Sequence, residues 1–175
     1  MSKLTVKDLD LRAKRVFTRV DYNVPMEETS DAMVINDDTR IRATLPTLKA
    51  LRNQGARIIL AAHLGRPKGE RVPSMSLKPV AKKLSKIIER PVAFASDCVG
   101  EAAANAVDNL KDGEILLLEN VRYHAAEEMN DKDFAKQLTK LADVYVNDAF
   151  GAAHRAHAST VGVPQELSAR GGQGA

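Results

Sequence analysis

Short apolar runs and longer helical patterns alternate along this chain. The short runs are rich in β-branched and aliphatic residues and occupy positions 16–20, 58–62, 92–95, 115–118 and 144–146. They are mostly apolar on both faces, which is typical of parallel strands that helices cover on both sides. We therefore predict a sheet of buried strands with helices between them.

The first helical pattern covers residues 38–53 and is followed by Gly55. Glycine is the favoured residue just after a helix end, because it adopts a left-handed backbone conformation at little cost. Pro46 lies inside the pattern and lacks a backbone N–H, so it predicts either a kink or a later start of the helix.

Three further helical patterns follow along the chain. One begins with Ser76 as the predicted N-cap, another covers about 101–110, and the last is capped by Asn130. Strands and helices thus alternate in order, which favours right-handed crossovers between parallel strands. The prediction is an α/β fold, specifically a three-layer α/β/α arrangement with a mostly parallel, Rossmann-like sheet.

The length of 175 residues suits one domain with a sizeable core. We predict that residues 1–168 form this domain and that 169–175, which lack a hydrophobic pattern, are a frayed tail or a truncation point. No apolar run approaches the roughly 20 residues of a membrane helix, and the charged N-terminus does not resemble a secretory signal. We expect a cytoplasmic protein without membrane contact. Cys98 is the only cysteine and is expected to be a small buried side chain.

The charge balance is mildly basic, with a net charge of +3 and a pI near 9.0. Aromatic residues make up only 4% of the chain, and no basic stripe is interleaved with aromatic side chains that could stack on bases. We therefore expect no nucleic-acid partner. The places where particular arginines and histidines fall are more informative than their number.

Polar and basic side chains follow the predicted strands at their carboxyl ends, where ligands bind in open α/β sheets. The basic residues in these loops, or able to reach them, are His63, His124, His154, His157, Arg66, Arg122, Arg155 and Arg40. Such a cluster suits a small, highly anionic ligand, because arginine presents a planar fork to phosphate or carboxylate oxygens. Asp21 and Asn23 beside these cations suggest a ligand hydroxyl. A phosphorylated hydroxy acid meets all of these requirements.

Several of these residues also have a simpler interpretation. Asp21 and Asn23 could merely shape the turn that follows the first strand. His63 could be a strand-end histidine with ordinary hydrogen-bond partners, and Arg155 with its neighbouring histidines could form a solvated face. Only the joint placement of these residues after successive strands favours a binding site.

Two more alternatives concern the remaining basic residues. Arg122 could form a weak surface pair with Glu127 or Glu128. His154 and His157 have the spacing of two metal ligands on a helix, but no third ligand with suitable spacing appears, so we predict no metal site. We call the edge of the sheet where these arginines and histidines lie the basic edge. A polyanion-binding or nucleic-acid-binding module that uses the basic edge remains the alternative function.

Five segments of the chain resemble the phosphoglycerate kinase family in order and spacing, and the similarity covers residues 4–167. They are Arg19-Val-Asp-Tyr-Asn-Val-Pro25, Asp38-Thr-Arg-Ile-Arg42, His63-Leu-Gly-Arg-Pro67, Leu118-Glu-Asn-Val-Arg-Tyr-His124 and Asn147-Asp-Ala-Phe-Gly-Ala-Ala-His-Arg-Ala-His157. Several long motifs in register are far more specific than a single glycine-rich loop.

The resemblance implies reversible phosphoryl transfer between 1,3-bisphosphoglycerate and ADP in glycolysis. In that family an N-terminal domain binds the glycerate and a C-terminal domain binds the magnesium nucleotide. On the matching positions, the resemblance implies that Asp21 and Asn23 contact the hydroxy acid and that Arg40 is the catalytic arginine. It implies that the distal phosphate of 3-phosphoglycerate or 1,3-bisphosphoglycerate is held by His63, Arg66, Arg122 and Arg155.

The chain departs from the family pattern in a few places. Tyr22 and Tyr123 stand where the family often has Phe, and the loop 26–36 lacks the usual tight glycine turn, which leaves its conformation open. The sequence has no GxxxxGK[ST] phosphate loop. The resemblance places the Mg-ATP or Mg-ADP site beyond residue 175, so we expect no cofactor and no turnover in this fragment alone. We expect the full-length enzyme to be monomeric, and the fragment could self-associate through apolar surface that C-terminal residues cover in the family.

Overall fold

A computed structural model describes residues 5–149, 155–170 and 173–174 of the chain. Its strands are β1 Arg15–Val20, β2 Met26–Glu28, β3 Met33–Ile35, β4 Arg57–Ala61, β5 Val92–Ala95, β6 Ile115–Leu118, β7 Val144–Asp148 and β8 Gln173–Gly174. Six of them form one sheet in the order β5-β6-β4-β1-β7-β8, and every pairing in it is parallel. The five predicted strands and their parallel arrangement are confirmed.

Helices connect the strands and cover the sheet. The α-helices are α1 Thr39–Ala43, α2 Leu45–Asn53, α3 Lys78–Ile88, α4 Gly100–Asp108, α5 Ala125–Glu128, α6 Lys132–Thr139 and α7 Val163–Ala169. A 3-10 turn, Val121–Tyr123, follows β6, and a π-helical turn, Ala158–Gly162, precedes α7. Among the described residues, no helix is long and apolar enough to cross a membrane.

The sheet separates two hydrophobic cores, because successive side chains of a strand point to opposite faces. On one face, Val16, Ile58 and Leu117 pack with the helix residues Leu48 and Leu84. On the other face, the strand residues Phe17, Ile59 and Leu116 pack with helix residues such as Val107 and Leu138. The predicted three-layer α/β/α fold is therefore confirmed.

The region predicted as one helix over 38–53 contains two helices. The chain breaks at Thr44 between α1 and α2, and Pro46 is the second residue of α2, where its missing N–H costs nothing. Gly55 has a φ of +74° after α2, so the prediction of a glycine C′ residue is confirmed.

Two predicted helix caps lie one residue from the observed ones. The residue before α3 is Leu77 rather than Ser76, although the Ser76 hydroxyl still accepts a hydrogen bond from the Lys78 N–H at 3.2 Å. The cap of α6 is Asp131 rather than Asn130, and its carboxylate accepts from the Phe134 N–H at 2.9 Å. Asp131 is favoured because a negative charge there also complements the helix dipole.

Two segments without a clear pattern contain short strands. The loop 26–36 folds as a small antiparallel hairpin of β2 and β3, apart from the main sheet. In the segment 169–175, predicted to be a tail, Ala169 belongs to α7 and Gln173–Gly174 pair with β7. The boundary of the domain near residue 168 stays a prediction.

Candidate functional site

The candidate site lies at the carboxyl ends of four neighbouring strands, β6, β4, β1 and β7. The chain leaves β1 towards β4 on one side and returns on the other side at β7, which makes β1 a topological switch point. Parallel strands end at one edge, so the loops that follow them are brought together there although they are distant in sequence. Open α/β sheets bind ligands at such points.

His63 lies just after β4 and is only 8% exposed. Its Nδ1 atom is 2.8 Å from Nη2 of Arg19, a side chain that is completely buried at the end of β1. Burial lowers the pKa of His63 to about 2, and the positive charges of Arg19, Arg122 and Arg155 act in the same direction. His63 is therefore neutral near pH 7, so it adds no positive charge to the edge.

Arg122 lies in the 3-10 turn after β6 and is only 4% exposed. Its Nη1 donates to the Gly65 carbonyl at 3.1 Å, and its Nε lies 3.4 Å from a Glu128 carboxylate oxygen. The proposed pairing with Glu128 is thus present, but the arginine is buried rather than on the surface. Burial lowers the pKa of Arg122, which the Glu128 carboxylate partly offsets.

Arg66 and Arg155 are exposed residues beside this buried pair. The positive charges of both lower the pKa of Arg122, and that of Arg155 also lowers the pKa of His63. The positive charges of both arginines thus act on the buried pair, in agreement with the places of their loops after β4 and β7. His154 lies outside the described residues, whereas His157 is half-buried and its pKa is lowered, chiefly by burial.

Arg40, Asp21 and Asn23 form a second group at the same edge. Arg40 lies near the start of α1, and its Nη1 donates to the Asp21 carboxylate at 3.2 Å and to the Asn23 carbonyl at 2.7 Å. The Asn23 side-chain oxygen accepts from the Gly65 N–H at 2.9 Å, which ties this group to the loop of His63 and Arg66. The Asn23 N–H also reaches Asp21 at 3.3 Å, so the predicted turn-shaping role is present too.

Two residues of the edge, Arg19 and Ser159, were not assigned a role from the sequence, and Glu127 was considered only as a surface partner of Arg122. The Arg19 Nε donates to the Ser159 hydroxyl at 2.8 Å, and that hydroxyl donates to the Glu127 carboxylate. All three are fully buried. Arg19 is a charged residue two positions after Phe17 in an apolar strand, so it shares a buried face with Phe17. This was the available signal for a buried network, because buried charges need partners.

His124 does not join the basic cluster. Its Nε2 lies 2.7 Å from the Asp97 carboxylate, and the two share a carboxylate–imidazole pair next to Cys98. Asp97, Cys98 and His124 are the one group among the described residues whose ligand atoms approach each other closely enough for a metal, within 4.8 Å. Asp97 already accepts from the Cys98 N–H at 2.7 Å, and burial raises the pKa of the Cys98 thiol. We assign no metal to these three residues.

The clustered guanidinium groups are also unsuited to Mg²⁺, which binds carboxylates and phosphates.

A groove of about 650 Å³ lies at the opposite edge of the sheet, between α2 and α3, and is lined by residues such as Leu45, Lys49 and Ile88. Because it opens at the amino ends of the strands, it does not belong to the basic edge.

Comparison with known proteins gives the family. The phosphoglycerate kinase family model matches residues 6–174. The phosphoglycerate kinases of Borrelia hermsii and Moorella thermoacetica are 53% and 56% identical over 172 residues, which cover 98% of this chain and 43% of each relative. The structure of the phosphoglycerate kinase from Coxiella burnetii matches with a TM-score of 0.83 and 36% identity, covering 98% of this chain and 40% of that chain. This chain thus spans less than half the length of these relatives. It belongs to the phosphoglycerate kinase family.

Proposed function

We propose that this chain binds 3-phosphoglycerate and 1,3-bisphosphoglycerate at its basic edge, as the acid-binding half of a phosphoglycerate kinase. The whole enzyme would transfer a phosphoryl group reversibly between 1,3-bisphosphoglycerate and ADP. The single observation that carries the proposal is the convergence of Arg66, Arg122, Arg155 and Arg40 on one sheet edge, from loops far apart in sequence.

The distal phosphate of the ligand is assigned to His63, Arg66, Arg122 and Arg155. A phosphate group carries close to two negative charges at neutral pH and three acceptor oxygens. Arg122 is held by the Gly65 carbonyl and its own burial, so little side-chain entropy is lost when it binds. The exposed Arg66 and Arg155 would order on binding and contribute charge from the solvent side.

Asp21 and Asn23 are assigned to the hydroxy-acid portion of the ligand. Both can accept a hydrogen bond from a hydroxyl group, and Asn23 can also donate one. Their present partners, Arg40 and Gly65, fix them at the edge. A ligand hydroxyl would therefore meet preformed acceptors rather than mobile side chains.

Arg40 is assigned to the transferring phosphoryl group. Phosphoryl transfer depends mainly on positioning and on neutralising charge, and a guanidinium next to the transferred group can do both. The attacking carboxylate of 3-phosphoglycerate is ionised at neutral pH, so no general base is required. Arg40 is half-exposed, with 51% of its side-chain surface accessible, so it can exchange Asp21 for a ligand phosphate.

The magnesium nucleotide is assigned to another part of the full-length enzyme. The basic edge offers cations where Mg²⁺ needs oxygen ligands, and the sequence has no GxxxxGK[ST] phosphate loop. We therefore expect this chain alone to bind the acid without ATP-dependent turnover. Monomeric full-length enzyme, cytoplasmic location and self-association of the fragment are further expectations of the same proposal.

Titration of the purified chain with 3-phosphoglycerate, by calorimetry or by NMR shifts, tests the binding proposal. Saturable 1:1 binding with shifts at Gly65, Arg122 and Arg40 is expected. Absence of saturation at millimolar ligand would count against it. In parallel, a coupled assay with ATP and 3-phosphoglycerate is expected to give no turnover by the chain alone.

A ligand panel separates this function from general polyanion binding. Glycerate with a phosphate at position 3 should bind better than inorganic phosphate or glycerol phosphate, because only it combines the phosphate and the hydroxyl with a carboxylate. Polyanion binding would instead tolerate many phosphates, prefer a nucleic acid or heparin, and weaken steeply with salt as counterions are released. Preference for a polymer over 3-phosphoglycerate would overturn the proposal.

A further inference from the structure

Behind the basic edge, a chain of buried hydrogen bonds leads from α5 to His63. It begins at the Glu127 carboxylate, which is fully buried and accepts from both the N–H, at 2.7 Å, and the hydroxyl of Ser159. Ser159 lies in the π-helical turn Ala158–Gly162, and such turns are frequent at functional sites. The series of hydrogen bonds continues from Ser159 through Arg19 to the His63 ring.

The chemistry of these side chains determines which atom donates and which accepts in each of these hydrogen bonds. A serine hydroxyl has one hydrogen, and the Ser159 hydroxyl gives it to the acceptor-only Glu127 carboxylate. The Ser159 oxygen is then free to accept from the Arg19 Nε at 2.8 Å. Arginine only donates, so the His63 Nδ1 that faces the Arg19 Nη2 at 2.8 Å must be an acceptor.

Because Nδ1 accepts a hydrogen bond, only one protonation state and one tautomer of the imidazole are possible. The ring is neutral and its proton is on Nε2, because a protonated imidazole would place two donors 2.8 Å apart. Nε2 makes no hydrogen bond to any residue that the structure describes, so it is the ring nitrogen available to a ligand. Without the hydrogen bond from Arg19, the ring could adopt either tautomer or the charged form.

We infer that Glu127 and Ser159 position Arg19 so that it locks His63 as a neutral imidazole with its proton on Nε2, which makes His63 a neutral N–H donor to the bound phosphate. Arg122, Arg155 and Arg66 supply the positive charge of the site. The ligand part of this inference rests on the proposed function. Glu127, Ser159 and Arg19 are positioning residues, because they act through His63.

The basic groups around His63 lower its pKa from three sides. Arg19 faces it from β1, Arg122 from the turn after β6, and Arg155 and His157 from the segment before the π-helical turn. Burial and these cations lower the pKa of His63, which opposes protonation even at acidic pH. Burial lowers the pKa of Arg19, and the negative charge of Glu127 opposes that shift, so Glu127 stabilises the donor rather than the histidine.

The tautomer can be read directly in the unmodified chain, with no ligand. In protein labelled with ¹⁵N-histidine, long-range ¹H–¹⁵N spectra distinguish a pyridine-like nitrogen from a protonated one, and the His63→Gln spectrum identifies the His63 signals. We expect Nε2–H with a pyridine-like Nδ1, unchanged from pH 8 to 5.5. A mixture of tautomers, or protonation within this range, would overturn the inference.

The same spectra recorded with saturating 3-phosphoglycerate test the donor role. His63 should stay neutral, and its Nε2 proton should shift as it meets the phosphate. Protonation of the ring in the complex would contradict the inference. Loss of ligand binding with an intact tautomer would instead overturn the proposed function, so the two failures are distinguishable.

Ser159→Ala removes the hydroxyl that links Glu127 to Arg19 by hydrogen bonds, without removing a charge. We expect a His63 signal that titrates at a higher pH than in the unmodified chain, together with about five- to tenfold weaker binding of 3-phosphoglycerate, roughly the loss of one hydrogen bond. Thr18→Val is the control, because it removes another fully buried hydroxyl, on the β1 residue next to Arg19, whose side chain points to the opposite face of the sheet. The control should leave the His63 titration unchanged. If Ser159→Ala also leaves it unchanged, or if both variants shift it equally, Ser159 has no positioning role.

Discussion

Arg40 donates to the Asp21 carboxylate across 3.2 Å, although the two residues lie 19 positions apart in the sequence. The pair joins the start of α1 to the end of β1, and the Asn23 carbonyl accepts from the same guanidinium nitrogen at 2.7 Å. An exposed pair of this kind contributes little to stability, because solvent screens it. Its consequence is geometric, since it aims a guanidinium along the basic edge.

Replacing Arg40 should therefore affect chemistry more than binding. In a full-length phosphoglycerate kinase that carries this domain, Arg40→Ala should lower kcat more than it raises KM, because the contact with the transferring group strengthens in the transition state. Steady-state kinetics at saturating nucleotide provide the measurement. Arg42→Ala is the matched control: Arg42 lies on the same helix and pairs with Asp38 at 3.0 Å, away from the edge. Equal effects on kcat and KM would remove the catalytic assignment of Arg40.

Arg122 should contribute directly to ligand affinity. Arg122→Ala is expected to weaken binding of 3-phosphoglycerate by about 1.5–3 kcal/mol, or ten- to a hundredfold, if one charge-assisted hydrogen bond is lost. Calorimetric titration measures the affinity, and thermal unfolding reports whether loss of the contact with the Gly65 carbonyl has disturbed the fold.

Arg71→Ala is the control for the Arg122 experiment. Arg71 is also an arginine near this region, but it stacks over the Tyr123 ring and lies 3.7 Å from Asp97, outside the basic cluster. Its replacement should change the affinity less than about twofold, within the range of an exposed ion pair. Unchanged affinity in Arg122→Ala would return Arg122 to the role of a partner for Glu128.

Adjacent glutamates should differ greatly in their importance for stability. Glu127 is fully buried and compensates the charge of Arg19 through Ser159, so Glu127→Ala should lower the free energy of unfolding by about 3–5 kcal/mol, as expected when a buried charge loses its partner. Glu128 is half-exposed, and Arg122 keeps its hydrogen bond to the Gly65 carbonyl without it, so Glu128→Ala should cost clearly less than Glu127→Ala. Urea unfolding of both variants provides the comparison, and similar losses would contradict the buried-network interpretation.

The sheet and the place of the site could be predicted because both follow from local patterns. Runs that are apolar on both faces indicate buried parallel strands, and parallel strands end at one edge, so basic residues after them were expected there together. His124 is the exception, because it pairs with Asp97 instead. The contacts within the edge could not be predicted in the same way. Arg19 meets His63 across 44 residues and Ser159 meets Glu127 across 32, and no sequence period relates such pairs. For that reason His63 was grouped with the cations, although its partner makes it neutral.

The neutral state of His63 gives a pH dependence of stability whose sign is fixed. In the folded chain its pKa is lowered to about 2, whereas in the unfolded chain it returns to about 6.5. As the pH falls below the unfolded value, only the unfolded chain takes up the proton, so protonation stabilises the unfolded state. Between pH 7.5 and 5 this one group should lower the free energy of unfolding by about 2 kcal/mol.

Urea unfolding of the chain at pH 7.5, 6.5 and 5 measures this loss, in a range where most carboxylates stay ionised. The lowered pKa of His157 acts in the same direction, so the total loss should exceed that of His63 alone. His63→Gln removes the titrating group and retains an N–H donor, and its stability should therefore depend less steeply on pH. Parallel pH curves for the variant and the unmodified chain would show that His63 has the same protonation behaviour folded and unfolded, which the buried contact with Arg19 does not allow.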